Sequence, residues 1–344
     1  MTQIFSTKLL ILFFIKIDIY NLMKILITGA AGFIGYNFSK YLLDKTNYKI
    51  IGVDNINDYY SVKIKKKRLE VLKRYKNFSF HKIDIKNKQH LKKIFNSKKI
   101  KMVFHLAAQA GVRYSLVNPR SYIESNTLGF FNIIEFVREK NVKKFFYASS
   151  SSVYGESTKF PLKEIYKISP KNIYGLTKKN NEETVEIFFQ NSNTSCVGLR
   201  FFTVFGEWGR PDMLIYKYLQ SIYNKRKKFY LNNFGDHTRD FTYISDVCEI
   251  MFKLSKKRKI KNHEVFNICS NKPIKITKIL EFINSNFDRK PRIFKRKFQL
   301  ADVKKTHGDN SKIKHYVGKK KYIDIQVALH NTSKWFKNNW KLYF

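Results

Sequence analysis

The sequence predicts a doubly wound α/β fold, in which helices cover both faces of a parallel sheet. Short apolar segments of strand length alternate with longer helical patterns, as repeated βαβ units require. The short segments are rich in Ile, Val and Phe and lack polar alternation, which is typical of strands buried on both faces. A glycine-rich segment follows the first of them, as expected where a phosphate group meets the start of a helix.

The elements follow in order along the chain. Strands are predicted at Lys24–Thr28, Lys49–Val53, Phe78–Ile83, Met102–Leu106, Lys144–Ser149 and Ser195–Phe201. Helices are predicted between them at Phe33–Lys45, Lys88–Phe95, Pro119–Lys140 and Asn172–Gln190, and later near Met213–Tyr223, Ile276–Asn286 and Ile323–Trp340. We expect a nucleotide-binding domain over residues 23–202, to which the chain returns around 236–270. A smaller substrate lobe would comprise residues 203–235 and 271–344.

The first 22 residues are predicted to be a dispensable extension or to follow from a misassigned start, and not to be in the mature protein. Their apolar run, Leu9–Ile15, is interrupted by Lys16 and Asp18, well short of the roughly 20 residues that a membrane span needs. No small-residue cleavage site follows, so a secretory signal is not predicted. Membrane association is therefore not expected.

The chain of 344 residues carries a formal net charge of +41. A basic surface could bind nucleic acid, but Lys, Asn, Ile, Phe and Tyr are abundant together, as AT-rich codons would produce. Because the lysines are scattered, no specific nucleic-acid partner is expected, although the field would attract polyanionic substrates. The densest basic run, Lys63–Arg68, is interpreted as a solvated helix face.

The three cysteines give no sign of a metal site or a disulfide framework. Cys196, Cys248 and Cys269 are far apart, odd in number and outside any CxxC pair. This pattern fits a reducing compartment and predicts a cytoplasmic protein without a metal centre.

The glycine-rich segment predicts a phosphate loop. Gly29, Gly32 and Gly35 are three residues apart between a strand and a helix that begins Phe33-Ile34. This spacing permits a tight turn and presents helix N–H groups to a pyrophosphate. Asp54 ends the next strand, where a carboxylate binds an adenosine ribose. No Arg directly follows Asp54, which favours NAD over NADP and predicts a Rossmann-type domain.

Tyr174 and Lys178 form a candidate catalytic pair. Residues four apart share a helix face, so both side chains can point into one cleft. An ammonium about 5 Å away favours phenolate by roughly 3 kcal/mol at an effective dielectric of about 20, or about two pKa units. The positive ring of bound NAD would act in the same direction. A serine run, Ser149–Ser152, lies just upstream at a strand's carboxyl end, where sites of open α/β sheets form.

These motifs together resemble the extended short-chain dehydrogenases/reductases that act on nucleotide sugars. The matching segments are TGAAGFIG at 28–35, SSSSVYG at 149–155 and YGLTK at 174–178. Four further segments resemble the UDP-glucuronate 4-epimerase subgroup: AAQAGVRYS at 107–115, RFFTVFG at 200–206, WGRPDM at 208–213 and RDFTY at 239–243. The chain departs from the subgroup at Phe205, at Glu207, and in FQLADV at 298–303, which lacks the Pro-Gly turn of a similar segment.

The resemblance implies a role for each matching residue. Ser150, Tyr174 and Lys178 would be catalytic, and NAD would be held tightly and recycled. The cofactor-binding residues would be Gly29, Gly32, Phe33, Ile34, Gly35, Asp54, Asp84, Ile85, Leu106, Ala107, Ala108, Tyr174 and Lys178. A UDP-sugar would contact Ser150, Ser151, Ser152, Thr203, Arg210, Arg239, Gln299 and Asp302. The helices Pro119–Lys140 and Asn172–Gln190 would form the interface of a homodimer.

Among the reactions of the family, 4-epimerisation of UDP-glucuronate to UDP-galacturonate fits the residues best. Ser151 and Ser152 stand where related 4,6-dehydratases carry Asp-Glu, and Ser152 stands where decarboxylases of UDP-glucuronate carry Glu. Arg210 and Thr203 could grip a sugar carboxylate; alternatively, Arg210 could form a loop salt bridge and Thr203 a cap, and Arg239 could pair with Asp240. A neutral UDP-sugar 4-epimerase, a UDP-glucuronate decarboxylase, and a non-catalytic NAD- or RNA-binding protein remain alternatives.

Overall fold

The computed structural model describes residues 23–257, 260, 262–299 and 302–344. The predicted N-terminal extension, residues 1–22, lies outside the described residues. Within those residues, no helix is long and apolar enough to cross a membrane.

A parallel sheet organises the described part of the chain. The strands are β1 Lys24–Thr28, β2 Lys49–Asp54, β3 Phe78–Lys82, β4 Met102–His105, β5 Lys144–Ser150, β6 Ser195–Phe201, β7 Thr203–Phe205, β8 Phe229–Asn232, β9 Thr238–Tyr243, β10 His263–Ile268, β11 Pro273–Lys275 and β12 Ile293–Arg296. Seven of them form one sheet in the order β10-β6-β5-β4-β1-β2-β3, and every neighbouring pair is parallel. The predicted fold class is confirmed.

Helices cover both faces of this sheet. They are α1 Phe33–Lys45, α2 Val62–Leu72, α3 Lys88–Ser97, α4 Tyr114–Val117, α5 Pro119–Tyr122, α6 Gly129–Glu139, α7 Ile173–Phe188, α8 Leu214–Tyr223, α9 Ile244–Lys256, α10 Ile276–Asn284, α11 Ser311–Val317 and α12 Ile325–Asn339. A π-helical turn, Ile123–Leu128, joins α5 to α6, so the helix predicted over Pro119–Lys140 is locally underwound. Short 3₁₀ turns occupy residues 151–153, 233–235 and 340–343.

Successive residues of the central strands enter two different cores. Ile25 and Ile27 of β1 belong to the core on the side of α1 and α9, whereas Leu26 belongs to the core on the side of α3 and α6. Because strand side chains alternate between faces, burial on both faces requires apolar residues at every position. This explains why the strands lack polar alternation in the sequence.

The strand order reverses between β1 and β4, and the loop after β1 packs tightly at this point. Gly29 has φ of +71°, and a Cβ placed on it would lie 2.7 Å from the backbone nitrogen of Ala107. A Cβ on Gly35 would lie 2.0 Å from the carbonyl oxygen of Gly29. Glycine is therefore required at both positions, and the start of α1 is fixed at the carboxyl edge of the sheet.

Smaller sheets accompany the main one. β7 and β9 are parallel, β11 pairs antiparallel with β9, and β12 pairs with β8. β7 follows β6 after only Phe202, so residues from both sheets meet at the same carboxyl edge.

The basic run in α2 is not a solvated face throughout. Lys65 and Arg68 are buried, whereas Lys63, Lys66 and Lys67 are exposed, so the prediction is wrong for two of the residues. The Arg68 guanidinium donates to the carbonyl oxygen of Ala31 at 2.8 Å. The helical period that buries the apolar side of α2 also turns these two cations inward, where carbonyl groups bind them.

A buried ion pair joins α7 to the sheet. Glu182 in α7 and Arg200 in β6 each have side chains that are 5% exposed. The guanidinium donates to both carboxylate oxygens, from Nε at 2.9 Å and from Nη2 at 2.7 Å, and Ser149 in β5 donates to the same carboxylate at 2.5 Å. The carboxylate thus connects three elements with charge-assisted hydrogen bonds.

We predict that Glu182→Gln lowers the free energy of unfolding by about 3 kcal/mol, because it leaves the buried Arg200 charge uncompensated. The measurement is the urea midpoint at unchanged slope. The matched control is Glu281→Gln, which alters an exposed pair with Lys278 and should leave the midpoint unchanged. Equal losses of unfolding free energy in both variants would contradict the stabilising role of the buried Glu182–Arg200 pair.

Candidate active site

A cavity opens where β1, β2, β4 and β5 end, and most of the predicted site residues line it. The predicted cofactor residues in its wall are Gly29, Gly32, Phe33, Ile34, Gly35, Asp54, Ile85, Leu106, Ala107 and Ala108. The predicted catalytic and substrate residues in its wall are Ser150, Ser151, Ser152, Tyr174, Lys178, Thr203 and Arg210. We call this space the first cavity. It lies at the carboxyl edge of the sheet, where the strand order reverses.

Asp54 is anchored by backbone groups. Its carboxylate accepts from the Ile56 nitrogen at 2.8 Å and from the Ala31 nitrogen at 3.1 Å, which ties β2 to the glycine-rich loop. Burial raises the pKa of Asp54 above its ordinary value, while the Ile56 hydrogen bond and the Lys65 charge oppose the increase. The carboxylate therefore reaches the cavity in a fixed orientation.

Asp84 does not reach the first cavity. Its Oδ2 accepts from the Asn55 amide at 3.1 Å and its Oδ1 accepts from the Lys86 backbone nitrogen at 2.9 Å. Its neighbours Ile83 and Ile85 line the cavity instead. A direct contact between the Asp84 side chain and a cofactor in this cavity is not supported by this placement.

Tyr174 and Ser150 both line the first cavity. Tyr174 is the second residue of α7, and Asn172 caps this helix by accepting from the Gly175 nitrogen at 2.8 Å. Ser150 ends β5, and its hydroxyl accepts from the Ser152 nitrogen at 3.1 Å. Burial raises the pKa of Tyr174, and the Ser150 hydrogen bond and the Arg210 charge lower it in part.

Lys178 lies beside Tyr174, one turn further along α7. Its Nζ is 6.0 Å from the centre of the Tyr174 ring and donates to the carbonyl oxygen of Ala148 at 2.7 Å. Burial lowers the pKa of Lys178 to about 8, below the ordinary value of a phenol, although Glu182 opposes the decrease. That the Lys178 ammonium and the positive ring of bound NAD together lower the pKa of the phenol stays a prediction.

A second cavity adjoins the first and shares Thr203 and Arg210 with it. The charged residues in its wall are Arg113, Arg210, Asp212, Lys217, Lys227, Lys228, Arg239, Arg296 and Asp302. Because cations outnumber acids in this wall, the second cavity suits an anionic ligand. Thr203 is the first residue of β7, so it is a strand residue and not a helix cap.

The three predicted substrate residues of the later segments have different environments. Arg239 donates to the carbonyl oxygens of Val303 at 2.6 Å and Lys304 at 2.9 Å, and it does not pair with Asp240. Asp302 forms an ion pair with Arg113 at 2.6 Å across the second cavity. Gln299 is exposed and lies outside the walls of both cavities.

The loop after β2 and the first turn of α2 contribute residues that the motifs did not indicate. Asn55, Asn57, Tyr59 and Tyr60 of the loop and Lys65 of α2 all line the first cavity. The signal that could have identified this loop is its position: it leaves the carboxyl end of a central strand next to the predicted phosphate loop.

The protein's own geometry fits a dinucleotide. The loop after β1 has no side chains at the glycines that approach Ala107, and the start of α1 faces the cavity with N–H groups that no side chain caps. Such helix starts bind phosphate groups, and Asp54 places a carboxylate in the same cavity, where one is expected to meet a ribose. No group of three or more His, Cys, Asp or Glu residues suited to a metal ion occurs within the described ranges.

Comparisons with known proteins agree with this geometry. The profile of the NAD dependent epimerase/dehydratase family matches residues 25–269. A UDP-glucuronate 4-epimerase of Thermodesulfobacterium geofontis is 39% identical over 322 residues, covering 92% of this chain and 97% of that protein. UDP-glucuronate 4-epimerase 2 of Arabidopsis thaliana is 35% identical, covering 93% of this chain and 77% of that protein.

A solved structure supports the same assignment. The UDP-glucuronic acid 4-epimerase of Bacillus cereus, in complex with UDP-glucuronic acid and NAD, superposes with a TM-score of 0.87. It is 29% identical and covers 92% of this chain and all of that chain. The family profile spans well over half of the sequence, and the fold and the cofactor cavity agree with it. The chain therefore belongs to the NAD-dependent epimerase/dehydratase family of extended short-chain dehydrogenases/reductases, and it is an enzyme that uses NAD.

Proposed function

We propose that this nucleotide-sugar epimerase converts UDP-glucuronate to UDP-galacturonate by inverting C4. The observation that carries the proposal is the position of Arg210, which lines both cavities and whose charge acts on the Tyr174 phenol. A cation so close to the reacting groups suits a sugar that carries a carboxylate next to C4. The relatives named UDP-glucuronate 4-epimerase support the choice of sugar.

We assign the first cavity to NAD and the sugar ring, and the second cavity to the UDP group. NAD, when bound, supplies the oxidising chemistry at C4 and the return reduction, so that no net oxidation occurs. Arg239 and Arg113 bring positive charge to the second cavity, where a pyrophosphate requires it. This assignment separates the reacting ring from the polyanionic part of the substrate.

Tyr174 acts as the base that removes the C4 hydroxyl proton and as the acid that returns it. Ser150 lines the first cavity together with the phenol and is therefore placed to hold the same substrate oxygen. Because burial raises the pKa of Tyr174, the positive charge of bound NAD is required to bring the phenol into the working range. Lys178 holds α7 to the Ala148 carbonyl and offers its remaining N–H groups to a cofactor ribose.

Ser151 and Ser152 argue against the elimination of water that related dehydratases catalyse. They form a 3₁₀ turn at the end of β5 and face the first cavity with hydroxyl groups only. A dehydratase needs an additional acid and base there, which hydroxyl groups cannot provide at neutral pH. If the sugar is a glucuronate, its 4-keto form is a β-keto acid, and a grip on the carboxylate by Arg210 and Thr203 restrains loss of carbon dioxide.

We further propose a cytoplasmic homodimer. The exposed sides of the π-helical turn, α6 and α7 carry an apolar surface made of Ile123, Leu128, Phe131, Leu176 and Ile187. Ile187 is 75% exposed and Phe131 is 39% exposed, and such a continuous patch on a soluble protein marks an interface. A second copy of the same helices would cover it. The three buried thiols accord with a reducing compartment.

Incubation of the purified, NAD-loaded protein with UDP-glucuronate should yield UDP-galacturonate, measured by chromatography of the nucleotide sugars. The reaction should approach the same mixture from either sugar, because the hydride returns to the carbon that it left. Formation of UDP-xylose would identify a decarboxylase. Turnover confined to UDP-glucose would identify a neutral-sugar epimerase, and either outcome would contradict the proposal.

Ile187→Glu should convert the dimer to a monomer in sedimentation velocity at micromolar concentration, because it places a charge in an apolar interface. Ile165→Glu is the matched control: Ile165 is 88% exposed but lies in the loop between β5 and α7, away from the apolar surface. A monomeric wild-type protein would contradict the proposal, as would dissociation by both substitutions.

A further inference from the structure

Arg210 already has a carboxylate partner within the chain. Its Nε donates to Oδ1 of Asp212 at 3.0 Å, and its Nη2 donates to Oδ2 at 2.6 Å. These two bonds form the side-on, bidentate geometry in which a guanidinium holds a carboxylate most firmly. The hydroxyl of Tyr59 donates to Oδ2 at 3.2 Å, so the carboxylate is held from two sides.

The pair uses only part of the guanidinium. Arginine has five N–H donors in a planar fork, and the side-on pair with Asp212 uses the Nε donor and one Nη2 donor. The opposite edge of the fork, formed by Nη1 and the second Nη2 hydrogen, points away from Asp212. Arg210 lines both cavities, whereas Asp212 lines only the second one. Asp212 is therefore in contact with Arg210 without being part of the wall of the first cavity.

We propose that Asp212 is a positioning residue that aims the free edge of Arg210 at the carboxylate of the sugar. The inference rests on the proposed function, because only an acidic sugar presents that carboxylate. Asp212 fixes the guanidinium before substrate arrives, so that less side-chain freedom is lost on binding. Arg210 then bridges two carboxylates, one from the chain and one from the substrate.

Tyr59 is the support of this arrangement. Its ring lies 5.9 Å from the Arg210 guanidinium, and its hydroxyl is close enough to Gly111 that a Cβ there would lie 2.3 Å away. The loop after β2 and the glycine of the AGVRYS segment thus hold Tyr59 against Asp212. Lys217 adds a positive charge nearby that, after Arg210, helps to keep the pKa of Asp212 below its ordinary value. Asp212 is therefore a carboxylate at neutral pH, as the bidentate pair requires.

The test compares two ligands that differ only in the acid group. Binding of UDP-glucuronate and UDP-glucose to the NAD-loaded enzyme is measured by titration calorimetry, together with kcat and KM for UDP-glucuronate. Asp212→Asn removes the negative charge and one of the two oxygens that accept from Arg210. Arg210→Ala removes the guanidinium and gives the largest loss of affinity that the interaction can cause. Tyr59→Phe removes only the supporting hydroxyl. Glu70→Gln changes an exposed acid to its amide in the pair with Lys67 and serves as the matched control.

Asp212→Asn should weaken binding of UDP-glucuronate about tenfold, the equivalent of one charge-assisted hydrogen bond, and should raise KM more than it lowers kcat. Binding of UDP-glucose should be unchanged. Tyr59→Phe should also weaken binding of UDP-glucuronate relative to UDP-glucose, by a smaller factor. Asp212→Glu should bind UDP-glucuronate more tightly than Asp212→Asn does. Retained NAD, seen by absorbance, verifies that each variant is folded.

Tighter binding of UDP-glucuronate by Asp212→Asn would overturn the inference, because it would show that Asp212 competes with the substrate. Equal losses for both sugars, or no loss, would overturn it too. If Asp212→Asn does not fold, Tyr59→Phe tests the inference through the same comparison of UDP-glucuronate and UDP-glucose affinities. A wild-type enzyme that binds UDP-glucuronate no better than UDP-glucose would overturn the proposed function, and this inference with it. Wild-type turnover of UDP-glucuronate without the variant effect would overturn this inference alone.

Discussion

The attachment of α7 to the sheet is the constraint on which the active site depends. Lys178 reaches the Ala148 carbonyl of β5, and one turn later Glu182 receives hydrogen bonds from Arg200 of β6 and Ser149 of β5. Since both contacts come from one face of the helix, they fix its rotation as well as its distance. Tyr174 lies one turn before Lys178 on the same face, so its phenol is set against the end of β5.

The same contacts explain the electrostatics of the site. Arg200 forms a buried ion pair with Glu182. Burial lowers the pKa of Lys178, and the Glu182 charge opposes this decrease only in part. Burial raises the pKa of the Tyr174 phenol and lowers the pKa of Lys178, so a further positive charge beside them would favour the phenolate. In the proposed reaction the cofactor supplies that charge, so proton removal and oxidation are coupled by electrostatics.

Much of the fold could be predicted because both faces of the sheet are buried. The six predicted strands agree with the structure to within one residue, since a strand covered on both sides shows an uninterrupted apolar run. β10 was not predicted as a strand: its HEVFNI sequence begins with polar residues. The inward orientation of Lys65 and Arg68 also escaped prediction, because their partners are carbonyl groups that become neighbours only in the folded chain.

The residues of the candidate site also fall into those that the sequence predicted and those that it did not. Residues that lie close in sequence, such as Gly29 in its loop or Tyr174 and Lys178 on one helix face, were brought to the cavity wall as their spacing and the matching motifs predicted. Side chains that meet only through tertiary contacts could not: Tyr59 reaches Asp212 across 153 positions of sequence, and Arg113 reaches Asp302 across 189. Asp84 and Gln299 match motif positions but lie outside the walls of both cavities, so their contacts with cofactor and substrate stay predictions.

Replacement of Tyr174 by Phe tests the central claim most directly. The variant should keep its NAD and bind UDP-glucuronate with nearly wild-type affinity, while kcat falls by about 10³-fold, the usual contribution of a positioned acid-base group. Tyr75→Phe, which alters a surface hydroxyl bonded to Asp44, should turn over at the wild-type rate. Turnover that survives the loss of the Tyr174 hydroxyl, with NAD and substrate still bound, would contradict the account.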